Sequence, residues 1–131
     1  MVFAGSEAAL IQAFRAGEEK KKPVLGYFYS PQWFLAEVPL VKVKLPPYRE
    51  GCDAKASEVS CDYPDYPLHK IVSVEFAKSN TSGYLLVRNF SWSERDQNLV
   101  AKYITADGMS PEDAAQKWID DNPEMVDAWL S

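Results

Sequence analysis

The residues best suited to bind a ligand lie in one short stretch, Gly26–Phe34, in which five of the nine residues are aromatic. The faces of aromatic rings attract cations, and quaternary ammonium groups are the main biological example of such a ligand. The same rings could instead fill a hydrophobic core, as aromatic runs usually do. On residue type and spacing alone, both interpretations stay open.

Pro31 divides this stretch into two predicted elements. Residues 23–29 are apolar on both faces, which predicts a central strand, and Pro31 ends that strand and opens a short helix to Ala36. Because α/β proteins place their ligand crevices at the carboxyl ends of strands, we expect the ring of Tyr29 to face a cleft. Tyr27 has the same strand parity and is expected to lie deeper along the strand.

Two further stretches alternate apolar and polar residues, at 41–45 and 69–76, and predict strands with one solvated face. Between them, residues 48–67 are rich in turn formers and long for a connection inside a domain, which is typical of a functional or crossing segment. Together with the predicted helices, these strands indicate an α/β fold with a mixed sheet flanked by helices.

Local signals predict the helices. Ser6 is expected to cap a helix that runs to about Arg15, and residues 84–90 form a short helix. A capping box at Ser93 opens a helix that runs to Asp107. Two more helices are predicted to open at Ser110-Pro111 and Asn122-Pro123, and to carry Trp118 and Trp129 in apolar stripes that pack into the core.

Cys52 and Cys61 lie nine residues apart in the polar segment. This spacing is not a CxxC motif, and a zinc site would need two more ligands, of which the single His69 supplies at most one. A structural disulfide is therefore the favoured interpretation, with about 2–3 kcal/mol of stabilisation from the short closed loop. Such a bridge implies an oxidising compartment. We predict no metal and no cofactor.

The composition argues against nucleic-acid binding and against catalysis. The 131 residues carry a net charge of −5, and Lys and Arg are not concentrated into a patch. His69 is the single histidine, no GxSxG motif occurs, and no nucleophile lies beside a base. We therefore predict a protein that is not an enzyme and has no catalytic residues.

Two parts of the chain resemble the substrate-binding proteins of glycine betaine/choline/proline-betaine ABC importers. Tyr29-Ser30-Pro31-Gln32-Trp33 is similar to that family's aromatic-x-Pro-x-Trp element, and residues 111–130 are similar to its closing pattern. Members of this family are considerably longer, so the resemblance implies the carboxy-terminal half of a binding protein, with Met1 as an added start. The implied fold is half of a two-lobe, type II periplasmic-binding-protein-like fold.

The resemblance also implies how the chain is divided. We expect residues 1–47 in one lobe, residues 48–67 in the crossing or hinge segment and residues 68–131 in the other lobe, with ligand caught when the lobes close. Half of such a protein leaves surfaces uncovered, so a homodimer of the chain is expected.

The resemblance places the ligand in a cage of aromatic rings around its trimethylammonium group. It puts Tyr29 at the cage position contributed by this half, where the family more often has Trp. Gln32 stands where the family often has His or an aromatic residue, and Trp33 is the third predicted ligand-binding residue. The remaining rings and the donors to the ligand carboxylate belong to the amino-terminal half. Glycine betaine, choline, carnitine and proline betaine are not distinguished.

The implied partners are a quaternary ammonium small molecule and the ABC permease subunit. The implied location is extracytoplasmic, either periplasmic or anchored on the outer face of the cytoplasmic membrane. The alternative function is a ligand-sensing or interaction module that has the same binding-protein fold and is not coupled to transport.

Overall fold

A computed structural model describes residues 3–131 of the chain. Over this range the regular elements are helical. In chain order they are α1 (Glu7–Glu19), a 3₁₀ helix (Trp33–Ala36), α2 (Val74–Lys78), α3 (Ser82–Asn89), α4 (Glu94–Thr105), α5 (Pro111–Asp121) and α6 (Pro123–Leu130).

The predicted α/β fold with a mixed sheet is wrong, because residues 3–131 form helices and no strand. The stretches 23–29 and 41–45 are irregular, and the third predicted strand, 69–76, runs instead into α2. A strand exists only where a neighbouring strand takes up its backbone hydrogen bonds, and none of these three stretches pairs with another. Alternation of apolar residues therefore indicated neither the backbone conformation nor the burial of these stretches, since Val43 is 54% exposed and Val74 is 70% exposed.

Residues 23–29 pack against α1. A Cβ on Gly17 would lie 2.5 Å from Cγ2 of Val24, so the chain returns along the helix at a distance that only glycine allows. Phe28 meets Phe14 of α1 edge to face, with ring centroids 5.6 Å apart, and also meets Phe34 at 5.9 Å. Aromatic packing thus organises this segment.

The stretch 69–76, predicted as a strand, contains a helix cap at Ser73 that its alternating apolar pattern did not indicate. The hydroxyl of Ser73 accepts a hydrogen bond from the backbone N–H of Phe76 at 3.1 Å and begins α2. Glu75 lies in the first turn, where the helix dipole favours a negative charge. These local interactions set the backbone of residues 73–78 where no neighbouring strand is present.

The predicted caps of the other helices are largely confirmed. Ser6 accepts from the N–H of Ala9 at the start of α1, and Ser110 does the same for Asp113 at the start of α5. Ser93 and Asp96 form the predicted reciprocal capping box of α4. The last helix begins at Pro123 as predicted, although the side chain of Asn122 donates to the carbonyl oxygen of Trp118 at 2.7 Å and does not cap α6.

The described residues divide into two units. The first comprises the residues up to Pro39 together with Asn89–Ser131, and the second is Leu40–Arg88. In the first unit, α4 packs on the 3₁₀ helix and on α5. Phe34 is fully buried there and sits among Phe14, Phe28 and Trp33.

A cluster of tryptophans forms the other part of the first unit's core, as predicted for Trp118 and Trp129. These two are 3% and 8% exposed and stack at 5.4 Å with nearly parallel rings. Trp92 meets Trp118 edge to face at 5.8 Å, and Phe90 packs on Trp129 at 4.6 Å. The core of this unit is therefore largely aromatic.

In the second unit, a disulfide joins Cys52 to Cys61, and residues 48–67 contain turns but neither helix nor strand, as predicted. Lys42 and Asp62 form an ion pair at 2.8 Å, and this hydrogen bond raises the pKa of Lys42 and lowers that of Asp62. The unit exposes many apolar side chains, among them Val41 at 89% and Ile71 at 92%.

Within residues 3–131, no helix has the length and apolar character needed to cross a bilayer.

Candidate functional site

The three predicted ligand-binding residues lie in the first unit, between α1 and α4. Tyr29 precedes a cis peptide bond between Ser30 and Pro31, and Gln32 and Trp33 follow it. Two bonds tie this segment to α4, since Ser30 Oγ donates to Glu94 at 3.0 Å and the N–H of Gln32 donates to Asn98 at 2.6 Å.

Gln32 is 7% exposed, and both polar groups of its side chain form hydrogen bonds. Its carbonyl oxygen accepts from the N–H of Phe34 at 2.7 Å and so caps the 3₁₀ helix. Its amide nitrogen donates to Glu7 Oε1 at 2.8 Å. Gln32 therefore joins α1, the 3₁₀ helix and α4, and these contacts fix the backbone on which Tyr29 and Trp33 are placed.

Tyr29 is 47% exposed, and its ring stacks on Phe28 with centroids 5.7 Å apart. Its hydroxyl donates a hydrogen bond to Glu7 Oε2. This hydrogen bond, together with partial desolvation and the negative charge of Glu7, raises the pKa of the Tyr29 phenol above its ordinary value. The ring is thus held at both ends while much of it stays open to solvent.

Trp33 is half-buried, and a cation from the chain itself already lies against its ring. The guanidinium of Arg15 lies 5.7 Å from the Trp33 ring centroid and equally far from that of Phe34. Arg15 also forms an ion pair with Glu37 at 2.6 Å. The Arg15 contact shows that this aromatic surface accommodates a positive charge.

An open groove of about 310 Å³ runs beside these residues. Its lining is made by one face of α1 and by the 3₁₀ helix, and consists of Glu7, Ala8, Ile11, Gln12, Arg15 and Trp33. Tyr29 is outside this lining, and its hydroxyl group donates to Glu7, which is part of the lining.

The structure thus brings Tyr29, Gln32 and Trp33 together, with different surroundings for each. The expectation that Tyr27 lies deeper than Tyr29 is wrong, since Tyr27 is 61% exposed and no strand imposes a parity. Cys52 and Cys61 belong to the other unit. Among residues 3–131, no three His, Cys, Asp or Glu side chains are grouped so that they could hold a metal ion.

Sequence reasoning missed two residues of this site, Glu7 and Asn98. Glu7 is 22 residues from Tyr29, and its sequence signal was only that of an acidic residue in the first turn of a helix. Asn98 is a buried polar residue in the middle of an amphipathic helix, 66 residues from its partner Gln32. A polar residue on the inner face of α4 was the one available signal for it.

Comparison with known proteins places the chain in a family. Residues 1–121 match the family described as the substrate binding domain of ABC-type glycine betaine transport system. The trimethylamine N-oxide-binding protein of Pelagibacter ubique (strain HTCC1062) is 30% identical over 124 residues, which cover 94% of this chain and 39% of that protein. The glycine betaine/carnitine transport binding protein GbuC of Listeria monocytogenes serotype 1/2a (strain 10403S) is 27% identical over 124 residues, covering 95% and 37%.

The chain therefore spans less than half the length of these curated relatives. No solved structure matches it. The family and both relatives are substrate-binding proteins and not enzymes, and substrate-binding proteins of ABC importers are extracytoplasmic. The match over residues 1–121 identifies the chain as a member of the family of substrate-binding domains of ABC-type glycine betaine transport systems.

Proposed function

We propose that this chain is the carboxy-terminal part of an extracytoplasmic solute-binding protein that delivers quaternary ammonium compatible solutes to an ABC permease. In this proposal the whole binding protein has two lobes. Ligand is held between the lobes, and the amino-terminal half supplies further aromatic rings and the donors to the ligand carboxylate.

The ligand class is supported by what the relatives are named for. Trimethylamine N-oxide, glycine betaine and carnitine all carry a positively charged nitrogen with three methyl groups. Such a nitrogen has no N–H to donate, so hydrogen-bond acceptors alone recognise it poorly. The faces of electron-rich aromatic rings recognise it well.

The observation that carries the proposal is that the ring of Tyr29 is both fixed and exposed. Its ring is fixed by stacking on Phe28 and by the hydroxyl bond to Glu7, yet it is 47% exposed. A ring immobilised in this way loses little conformational freedom when a ligand packs on it, and this lowers the entropic cost of binding. We assign Tyr29 the direct contact with the methylated nitrogen.

The roles of the other two predicted residues follow from their surroundings. Gln32 is buried and bonded to Glu7 and Phe34, which supports a role in holding the segment in place beside the ligand. Trp33 lies at the groove with Arg15 against its ring, which supports a contact at the edge of the ligand.

Two protein partners belong to the proposal. The first is the ABC permease, which a binding protein of this family serves. The second is another copy of the chain, supported by the apolar side chains that the unit Leu40–Arg88 exposes, such as Val41 and Ile71.

The experiment titrates glycine betaine into the wild-type chain, into Tyr29→Ala and into the matched control Tyr27→Ala. NMR monitors the binding. We expect Tyr29→Ala to weaken binding about 5- to 30-fold, as the loss of one aromatic face from a methylammonium site does. Tyr27→Ala should leave the affinity within about twofold, because a side chain outside the contact changes binding little.

A second ligand separates cation recognition from simple apolar contact. In 3,3-dimethylbutanoate a carbon atom replaces the nitrogen of glycine betaine, so that shape is kept and the positive charge is lost. We expect this compound to bind the wild-type chain more weakly than glycine betaine does.

Equal affinity of wild type and Tyr29→Ala for glycine betaine would show that Tyr29 does not contact the ligand.

A further inference from the structure

The carboxylate of Glu7 carries a negative charge to which the proposed function gives no role. Glu7 lies in the first turn of α1, where the helix dipole favours a negative charge. Its two oxygens have different partners, since Oε1 accepts from the Gln32 amide at 2.8 Å and Oε2 accepts from the Tyr29 hydroxyl. One side chain thus holds two of the three predicted ligand-binding residues.

Both partners of Glu7 are neutral groups. Within residues 3–131, no Lys, Arg or His side chain forms an ion pair with it. Arg15, the cationic residue in the groove lining, is instead paired with Glu37 at 2.6 Å. The negative charge of Glu7 therefore stands at the end of the groove beside Tyr29 without a fixed counter-charge.

A carboxylate in this position affects a bound cation in two ways. It attracts the positive charge directly, and it accepts a hydrogen bond from the Tyr29 phenol, which increases the electron density of the ring. It also restricts the rotation of the Tyr29 side chain about its bonds, so the exposed ring is presented in one orientation. A neutral ligand of the same shape gains only from the orientation.

We propose that Glu7 is the positioning and charge-selecting residue of the methylammonium site: it fixes Tyr29 and Gln32 and favours cationic ligands over neutral ligands of equal shape. This inference rests on the proposed function, because it assigns the specificity of the same site. It extends the site to the start of α1, outside the Tyr29–Trp33 element.

The test uses choline and 3,3-dimethyl-1-butanol, which differ in the charged nitrogen alone. Wild type, Glu7→Gln and Glu7→Ala are titrated with both compounds by NMR, and Glu18→Gln serves as a control that removes one exposed charge from the same helix. Glutamine at position 7 keeps one acceptor oxygen for Tyr29 and removes the charge and the acceptor for the Gln32 amide, while Gln32 keeps its bonds to Asn98 and Phe34. Alanine removes both acceptors and the charge.

We expect Glu7→Gln to weaken choline binding about 2- to 5-fold, as the loss of one exposed charge pair does. The affinity for 3,3-dimethyl-1-butanol should stay unchanged. Glu7→Ala should weaken the binding of both compounds, because the Tyr29 ring is then no longer fixed. The preference of wild type for choline should decrease at high salt, since screening acts on the charge. Glu18→Gln should behave as wild type does.

A second readout follows the phenol of Tyr29 itself. Glu7→Gln should return the pKa of Tyr29 toward its ordinary value, and Glu18→Gln should not change it. If Glu7→Gln lowers the affinity for choline and for the alcohol equally, or for neither, the charge-selecting role is refuted. If wild type binds choline no better than the alcohol, the proposed function itself fails.

Discussion

The hydrogen bond between Asn98 and the backbone of Gln32 offers the sharpest test of how the site segment is held. Asn98 is 8% exposed and Gln32 is 7% exposed, and the N–H of Gln32 reaches Asn98 Oδ1 at 2.6 Å. Asn98→Ala removes the acceptor and leaves a buried backbone N–H without a partner. A buried group left unsatisfied in this way costs about 1–3 kcal/mol.

The free energy of unfolding is measured by urea denaturation, with tryptophan fluorescence as the signal. We expect Asn98→Ala to lose about 1–3 kcal/mol. Arg95→Ala, at an exposed position of the same helix, should stay within about 0.5 kcal/mol of wild type. Hydrogen exchange gives a local readout, because the amide of Gln32 should lose protection in Asn98→Ala.

This role of Asn98 is refuted if Asn98→Ala unfolds at the same urea concentration as wild type and the Gln32 amide stays protected. The contact between α4 and the site segment would then rest on apolar packing around Phe34 alone.

Two further predictions concern stability. Reduction of the disulfide between Cys52 and Cys61, nine residues apart, should lower the stability of its unit by about 2–3 kcal/mol in thermal unfolding, and Cys52→Ser with Cys61→Ser should show no further loss on reduction. The hydrogen bond from Ser93 lowers the pKa of Asp96, so the contribution of Asp96 to stability is present above the ordinary value of 3.8 and is lost as pH falls through the lowered pKa. In acid titrations monitored by circular dichroism, Asp96→Asn should abolish the loss of stability that comes from protonation of Asp96. An acid profile identical to that of wild type would contradict the contribution of Asp96.

The features predicted correctly from the sequence depend on interactions a few residues apart. Ser6, Ser93 and Ser110 cap their helices through bonds that span three residues, so the chain carries the whole signal locally. The burial of Trp118 and Trp129 follows from helical periodicity in the same way. These predictions required no knowledge of what lies elsewhere in the chain.

The features predicted wrongly have two causes, a missing strand partner and a helix cap that the apolar alternation outweighed. A strand at 23–29 needed a neighbour to pair with, and the segment packs on Phe14 of α1 through the ring of Phe28 instead. At 69–76, the cap at Ser73 opened a helix where apolar alternation indicated a strand. The apolar pattern of a segment therefore fixed neither its burial nor its backbone conformation, since Val41 and Ile71 are largely exposed.

The candidate site shows the same division. Its aromatic residues and Gln32 were predicted, because they are adjacent in the sequence. Glu7 and Asn98, which hold those residues in place, come from positions 22 to 66 residues away and left no pairwise signal. Composition at the site was therefore predictable, and the contacts that fix it were not.

The central claim is that the ring of Tyr29 contacts the methyl groups of the ligand. The most direct measurement is an intermolecular nuclear Overhauser effect between the methyl protons of glycine betaine and the ring protons of tyrosine, recorded on the wild-type chain and on Tyr29→Ala. We expect a cross-peak to the Tyr29 ring that is absent from Tyr29→Ala, with no comparable signal from Tyr27. Cross-peaks to other rings alone, unchanged in Tyr29→Ala, would contradict the assignment.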